Sequence, residues 1–136
     1  MIPGNMNVAN SKLTIMVVED NVQFRQLITD FLAFAGYMVI PAVNGIEALA
    51  ILQQSDLIPD LIVTDIIMGN MNGCEFLHTV RQQWEKIPFI MMSTSTTYEL
   101  SCPDANLKPN AYIAKPFPYE ELIKTIESIL FSAGTV

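Results

Sequence analysis

The chain has 136 residues, of which 51% are hydrophobic and 15% are charged, and its 7 Lys and Arg residues stand against 14 Asp and Glu residues. A chain of this length fits one domain, whose folding buries roughly two-thirds of the unfolded surface. The formal net charge of −7 argues against a general electrostatic attraction to nucleic acid or to an anionic membrane. We therefore predict one globular domain whose partners are proteins or cations.

The two cysteines, Cys74 and Cys102, lack the close spacing of a zinc site and suggest no disulfide framework. A reducing cytoplasm is therefore the expected location. The uncharged stretch 31–43 contains Gly36 and Pro41 and is shorter than the ~20 residues of a membrane span. Residues 1–11 lack the features of a signal peptide. The predicted division is a flexible leader at 1–11, a domain at 12–132 and a tail at 133–136.

Short apolar runs rich in β-branched residues alternate along the chain with stretches of helical periodicity. Helices are predicted from Asn21, from Asn44, after the turn at 69–73 and from Pro118. Prolines limit any helix within 98–110 to a short or bent piece. The predicted strands are residues 13–18, 37–40 (ended by Pro41), 61–65, 88–92 and 111–114.

This alternation of strands and helices defines the fold class. Right-handed crossovers place successive strands in one parallel sheet with helices on both faces. The expected architecture is α/β, a single doubly wound domain of five strand-helix units. Its second helix, from Asn44 to about Gln54, is expected to bury Ile46, Leu49 and Leu52.

Polar residues stand at the carboxyl ends of four of the five predicted strands. Glu19 and Asp20 follow the first strand, Asp65 ends the third, Ser93 follows the fourth and Lys115 follows the fifth. In an open parallel sheet these ends meet at one edge, where ligands bind. Each residue alone has an ordinary explanation, since an Asp often caps a turn and surface acids are usually only solvated. The complete set favours a functional site.

The chemistry of such a site follows from its charges. Three crowded carboxylates raise one another's pKa unless a cation lies among them, and an all-oxygen cluster suits Mg²⁺. With Mg²⁺ beside it, an ionised Asp65 is suited to attack a phosphoryl group in line. Lys115 and Ser93 would contact the phosphoryl oxygens. The predicted product is an aspartyl phosphate.

These residues and their surroundings resemble the receiver domain of response regulators, the phospho-accepting part of two-component signalling. The resemblance covers about residues 13–131. It implies a flavodoxin-like sheet in the order 2-1-3-4-5 and a cis Lys115–Pro116 bond. The matching motifs are Glu19-Asp20, Asp65 with residues 66–73, the strand 88–94 with Ser93, and the run from Tyr112 to Phe117.

The resemblance implies a role for each residue of the predicted site. Asp65 is the phosphoacceptor, and Lys115 and Ser93 are the other catalytic residues. Glu19 acts mostly through a metal-bound water. The ligands implied for Mg²⁺ are Glu19, Asp20, Asp65 and the backbone carbonyl of Ile67.

The resemblance also implies a conformational switch. Ser93 turns toward the phosphoryl group and Tyr112 rotates inward behind it, which changes the face built by the fourth and fifth strands and the fourth and fifth helices. Ile67 and Ser95 occupy positions that tune the lifetime of the phosphorylated state, and the apolar Ile67 is expected to slow the attack of water. Without the resemblance, Tyr112 is equally well explained as a strand aromatic.

The partners implied by the resemblance are proteins. A histidine kinase or a histidine phosphotransfer protein supplies the phosphoryl group, and a downstream protein or an effector domain receives the signal. A phosphorylation-dependent dimer is compatible with this pattern, and direct binding to nucleic acid or membrane is not expected. The chain would catalyse only its own phosphorylation and dephosphorylation, so it would not be an enzyme in the usual sense.

Several positions depart from the family pattern. Gly69 replaces the usual proline of the turn after the third strand, Pro103 interrupts the fourth helix, and Lys108-Pro109 replaces a Gly-Ala pair. These departures affect the expected shape of the output face and leave the phosphate site intact. Gly69 and the fourth helix broken by Pro103 are the features that would fit an alternative function, a phosphorylation-independent docking scaffold. A third hypothesis, an aspartate-nucleophile phosphatase, requires a second Asp where this chain has Ile67, and it is therefore disfavoured.

Overall fold

A computed structural model describes residues 12–66, 71–94 and 108–131 of the chain. These residues form five strands and four helices, labelled here in chain order. The strands are β1 (Thr14–Val18), β2 (Met38–Ala42), β3 (Leu61–Asp65), β4 (Phe89–Ser93) and β5 (Ala111–Ala114). The helices are α1 (Val22–Phe34), α2 (Gly45–Gln54), α3 (Gly73–Gln83) and α4 (Tyr119–Phe131).

Some predicted segments lie outside the described residues. They are the leader, the tail and most of the segment 98–110, which includes the predicted fourth helix. The fifth predicted helix is therefore α4 of the described set. No helix in the described ranges is both long enough and apolar enough to cross a membrane.

All neighbouring strands of the sheet are parallel, in the order β2-β1-β3-β4-β5. The predicted α/β fold and strand order are thus confirmed. Every residue of β1, β3 and β4 is buried, as expected for central strands that are covered on both faces. The carboxyl ends of these strands lie side by side, since Asp65 pairs in register with Met92 and Val18 with Thr64.

Side chains alternate between the two faces of the sheet and form two separate cores. One core includes Ile28 of α1 and Leu122 of α4. The other includes Leu52 of α2 and Phe76 of α3. The prediction that helices cover both faces is confirmed.

An asparagine caps each of the first three helices. The side-chain oxygens of Asn21, Asn44 and Asn72 each accept a hydrogen bond, 2.8 Å long, from the backbone N–H three residues later. At α3 the carboxylate of Glu75 accepts in return from the backbone N–H of Asn72, which completes a capping box. These caps fix where each helix leaves the carboxyl edge of the sheet.

The second strand continues past Pro41, so the prediction that this residue ends it is wrong. Pro41 pairs in register with Val17. β2 is an edge strand of the sheet, and a proline is tolerated there because its missing N–H does not have to serve a neighbouring strand.

The buried face of α2 also differs from the prediction. Ile46 is 52% exposed, and Ala48 packs in the core beside Leu52. Residues spaced by three shift around a helix by about 60° at each step, so the side chains of Ile46 and Leu52 point about 120° apart. They therefore do not share one buried stripe.

Cys74, near the start of α3, is disulfide-bonded, so the expectation of no disulfide is wrong at this residue. The other cysteine of the sequence, Cys102, lies outside the described residues. The prediction failed because spacing along the chain does not report the distance between two cysteines in the fold. The cysteines therefore give no support to a reducing location.

Candidate functional site

Polar residues from four strand ends converge on one small cleft, with a volume of about 110 Å³. The structure thus brings together the predicted carboxylates, hydroxyl group and lysine from separate parts of the chain. The lining residues are Glu19, Asp20, Asp65, Met92, Ser93, Thr94 and Lys115.

The three carboxylates of the cleft form a compact cluster. Ligand oxygens of Glu19, Asp20 and Asp65 all lie within 4.8 Å of one another. Glu19 and Asp65 are 1% and 5% exposed, whereas Asp20 is exposed to solvent. A set of oxygen donors this close fits a hard divalent cation such as Mg²⁺, which binds through one or two carboxylates and keeps several waters. The residues present therefore suit this metal.

Lys115 joins the two buried carboxylates. Its Nζ lies 2.9 Å from Oε1 of Glu19 and 2.7 Å from Oδ1 of Asp65. Its backbone N–H donates to the carbonyl of Ser93 at 2.7 Å, which extends the pairing of β4 and β5 to the cleft. The predicted cis bond to Pro116 is confirmed. The lysine is thus held at both its backbone and its ammonium group.

Asp65, Glu19 and Lys115 influence one another's pKa values. Burial, and next the hydrogen bond with Glu19, raise the pKa of Asp65 to about 8, although Lys115 opposes both. Burial also disfavours the charge of Glu19, but hydrogen bonds with Asp65 and a backbone N–H lower its pKa overall. The pKa of Lys115 is raised despite its burial, because both carboxylates accept from it. At neutral pH the pair of carboxylates therefore retains one proton, held mainly by Asp65.

Glu19 is fixed by hydrogen bonds to its side chain and to its backbone. The backbone N–H of Asn21 donates to its Oε2 at 2.9 Å. The guanidinium of Arg25 donates to its carbonyl oxygen at 2.7 Å. Both partners belong to the start of α1, so the helix cap and the acidic cluster form one connected unit.

Two residues near the cleft had no role in the sequence prediction. The backbone N–H of Gly73, the first residue of α3, donates to the carbonyl of Ile66 at 2.5 Å. A Cβ at Gly73 would lie 2.9 Å from the Cα of Ile66 and closer still to the carbonyl oxygen of Asp65. On the other side, the ring centroid of Phe24 lies 4.5 Å from Nζ of Lys115. The glycine of the turn motif was a usable sequence signal, whereas Phe24 appeared only as one apolar residue of a helix.

The remaining predicted residues lie elsewhere. Tyr112 is half-buried in β5, pairs with Met91 and packs against the core that α2 and α3 cover. Ile67 and Ser95 lie outside the described residues. The metal-binding carbonyl of Ile67 and both roles in tuning the lifetime therefore stay predictions.

Comparison with known proteins finds relatives that match most of the chain. The family model of the response regulator receiver domain matches residues 15–127. A probable transcriptional regulator, ycf27 of Cyanophora paradoxa, is 32% identical over 120 residues, which cover 88% of this chain and 49% of that protein. Hybrid signal transduction histidine kinase D of Dictyostelium discoideum is 29% identical over 123 residues, covering 89% and 8% respectively. The chain thus spans half or less of the length of these relatives.

Solved structures show the same similarity over most of the chain. Chemotaxis protein CheY4 of Vibrio cholerae superposes with a TM-score of 0.80 at 33% identity, covering 88% of this chain and 100% of that one. The receiver domain of NtrX from Brucella abortus gives a TM-score of 0.75 at 28% identity, covering 85% and 97%. Together with the predicted motifs and the observed strand order, these matches show that the chain belongs to the family of response regulator receiver domains.

Proposed function

We propose that the chain is a phospho-accepting switch of a two-component phosphorelay, and that Asp65 is the phosphorylated residue. The proposal rests on the position of Asp65, which is buried at the end of β3, beside two other carboxylates and 2.7 Å from the ammonium of Lys115. This carboxylate thus lies beside oxygens suited to a metal and beside a cation suited to phosphoryl oxygens.

The acidic cluster supplies the proposed metal ligands. Asp20 and Asp65 would hold Mg²⁺ with the backbone carbonyl of Ile67, and Glu19 would act mostly through a water. When bound, Mg²⁺ offsets the negative charge of the phosphoryl group and of the carboxylate that attacks it. The burial of Glu19 and Asp65 strengthens such electrostatic interactions because little water screens them.

The proposed reaction transfers a phosphoryl group from a histidine. Asp65 first releases its proton to solvent, and one of its Oδ atoms then forms a bond to phosphorus as the P–N bond of phosphohistidine breaks. The imidazole nitrogen keeps the electron pair and later takes up a proton. The ammonium of Lys115 leaves Asp65 and contacts the phosphoryl oxygens, and the hydroxyl of Ser93 donates to them. The chain thus catalyses its own modification and acts on no separate substrate.

The proposed output runs through Ser93 and Tyr112. Their movement would remodel the face formed by β4, β5, α4 and the predicted fourth helix. Similarity to parts of a hybrid histidine kinase and of probable transcriptional regulators supports a histidine kinase or phosphotransfer protein as the donor. The same similarity supports a downstream protein or an effector domain as the receiver, with a phosphorylation-dependent dimer as one form of output. The proposed location is the cytoplasm, where such a donor presents its phosphohistidine.

Incubation with Mg²⁺ and acetyl phosphate tests the proposal, with intact-mass spectrometry as the measurement. The wild type should gain one phosphoryl group, which hydroxylamine removes, and Asp65→Asn should gain none. Asp56→Asn is the matched control, because Asp56 is an exposed acid in the turn before β3, at the opposite edge of the sheet. A wild type that stays unmodified, with this donor and with a phosphorylated histidine protein, would favour the scaffold alternative.

A further inference from the structure

We propose that Phe24 is a positioning residue, which holds the ammonium group of Lys115 beside the cleft during phosphoryl transfer. This inference rests on the proposed function. The Nζ atom lies 4.5 Å from the centroid of the Phe24 ring, within the distance at which the face of an aromatic ring attracts a cation. The Lys115 side chain is only 17% exposed, and such attraction is stronger where water is scarce.

The Phe24 ring is itself held in place. Its backbone N–H donates to the side chain of Asn21 at 2.8 Å, and the backbone N–H of Asn21 donates to the carboxylate of Glu19 at 2.9 Å. The ring also packs edge-on against Phe117, with centroids 5.9 Å apart and an interplanar angle of 69°. Phe24 is thus connected both to the acidic cluster and to the segment that carries Lys115.

The three contacts of the ammonium respond differently to phosphorylation. Asp65 is a proposed metal ligand and becomes the acyl phosphate, and Glu19 would contact a metal-bound water, so both anionic contacts of Lys115 must change. The contact with the Phe24 ring involves no exchangeable hydrogen bond and no group that reacts. Phe24 can therefore keep the ammonium close to the cleft while its anionic partners are exchanged.

A purely structural role for Phe24 is the competing explanation, because its ring also packs in the core covered by α1 and α4. Phe24→Leu separates the two roles, since it keeps an apolar side chain but removes the ring face. With acetyl phosphate and Mg²⁺, we expect this variant to be phosphorylated about fivefold more slowly than the wild type. Phe24→Tyr keeps the ring and should recover most of the rate.

Phe31→Leu is the matched control. Phe31 lies on the same helix, and its ring contacts Tyr119 at 4.7 Å between centroids, so this variant loses an aromatic contact remote from Lys115. We expect it to be phosphorylated at the wild-type rate. If Phe24→Leu fails to fold, Phe24→Met supplies the same comparison. Equal slowing in the Phe31 and Phe24 variants would overturn the proposal.

An NMR measurement tests the contact without phosphorylation. The ε-methylene group of Lys115 is bonded to the Nζ atom that lies over the ring. Its proton resonances should therefore shift upfield in the wild type and in Phe24→Tyr, and this shift should vanish in Phe24→Leu. Identical resonances in the wild type and Phe24→Leu would overturn the proposed contact. A wild type that accepts no phosphoryl group would overturn the proposed function instead, and with it the role of Phe24 in transfer, even if the shift is present.

Discussion

The carboxyl group of Asp65 is held in an environment that opposes its ionisation. Burial and the neighbouring Glu19 raise its pKa from 3.8 to about 8. Between these two values the folded chain binds a proton that the unfolded chain has released. The stabilisation that comes from this group is therefore complete below about pH 4 and is lost as the pH rises through about 8.

Asp65→Asn should remove this pH dependence, because an amide does not ionise. In protein stripped of divalent ions with EDTA, we expect the variant to gain stability over the wild type by on the order of 1–2 kcal/mol between about pH 5 and about pH 9. The raised pKa belongs to the interacting pair of Asp65 and Glu19, so replacing Asp65 alone gives a smaller gain than the whole shift in pKa would give. Urea unfolding of both proteins at the two pH values measures this difference in the free energy of unfolding.

The control for this experiment is Asp56→Asn, which changes an exposed acid far from the cleft. Its stability relative to the wild type should be the same at both pH values. If Asp65→Asn behaves in the same way as this control, the carboxyl group of Asp65 ionises normally in the folded chain.

At the scale of single residues, the sequence predicted which groups meet but not how they interact. Asp65 and Lys115 could be placed together because parallel strands end at a common edge. The proton that Asp65 and Glu19 retain could not be predicted, since it depends on burial and on the contacts of both carboxylates with Lys115, at 2.7 and 2.9 Å. The contact of Phe24 with Lys115 could not be predicted either, because helical periodicity does not show which aromatic ring lies next to a charged group.

At the scale of elements, the start of α3 is held closely against the end of β3. The Asn72–Glu75 capping box fixes the first turn of this helix, and Gly73 brings its backbone against the end of β3. A side chain at Gly73 would meet backbone atoms rather than a flexible side chain, so strand and helix would have to separate. The position of Asp65 thus depends on where the next helix begins.

Gly73→Ala is therefore expected to affect both stability and phosphorylation. The added Cβ should lower the free energy of unfolding by about 1–3 kcal/mol, the usual cost of overpacking, and displace the carboxylate of Asp65. Since a misplacement of about 1 Å can cost about a hundredfold in rate, we expect phosphorylation by acetyl phosphate to slow by at least tenfold. Urea unfolding and intact-mass time courses measure the two effects.

Gly36→Ala is the matched control for this prediction. Gly36 has a φ of +104°, and an added Cβ would meet no atom within 4 Å, so alanine there is strained by about 1 kcal/mol without touching the cleft. This variant should lose stability but keep the wild-type rate of phosphorylation. A Gly73→Ala protein that is phosphorylated as fast as Gly36→Ala would contradict the proposed effect on Asp65.

The order of the elements was predictable, whereas the faces of the helices were less so. Alternating strand and helix signals fix a parallel sheet, but α1 carries more apolar residues than the core can cover. Ile28 and Leu32 are buried, while Leu27 and Phe34 are 48% and 94% exposed. The periodicity thus predicted the helix. It did not predict which apolar residues face the sheet, because packing against the sheet determines how the helix is rotated.

At the scale of the whole molecule, the cleft joins parts of the chain that are far apart in sequence. The ion pair between Lys115 and Glu19 links residues 96 positions apart, and the acidic cluster links the ends of β1 and β3. These groups come together only when the sheet is complete. A cation held by the cluster would therefore bind the folded chain and not the unfolded chain, and it would stabilise the entire fold.

Mg²⁺ should accordingly raise the free energy of unfolding, by about 2.7 kcal/mol at a concentration one hundred times its dissociation constant. Asp20→Asn is the informative variant, because the ammonium of Lys115 contacts Glu19 and Asp65 and both contacts are left intact. Its stability in EDTA should stay within about 0.5 kcal/mol of the wild type, as for most surface substitutions, while its gain from Mg²⁺ should shrink. Asp56→Asn should retain the full gain. Thermal unfolding across a Mg²⁺ series measures this, and an Asp20→Asn protein that responds like the wild type would exclude Asp20 as a ligand.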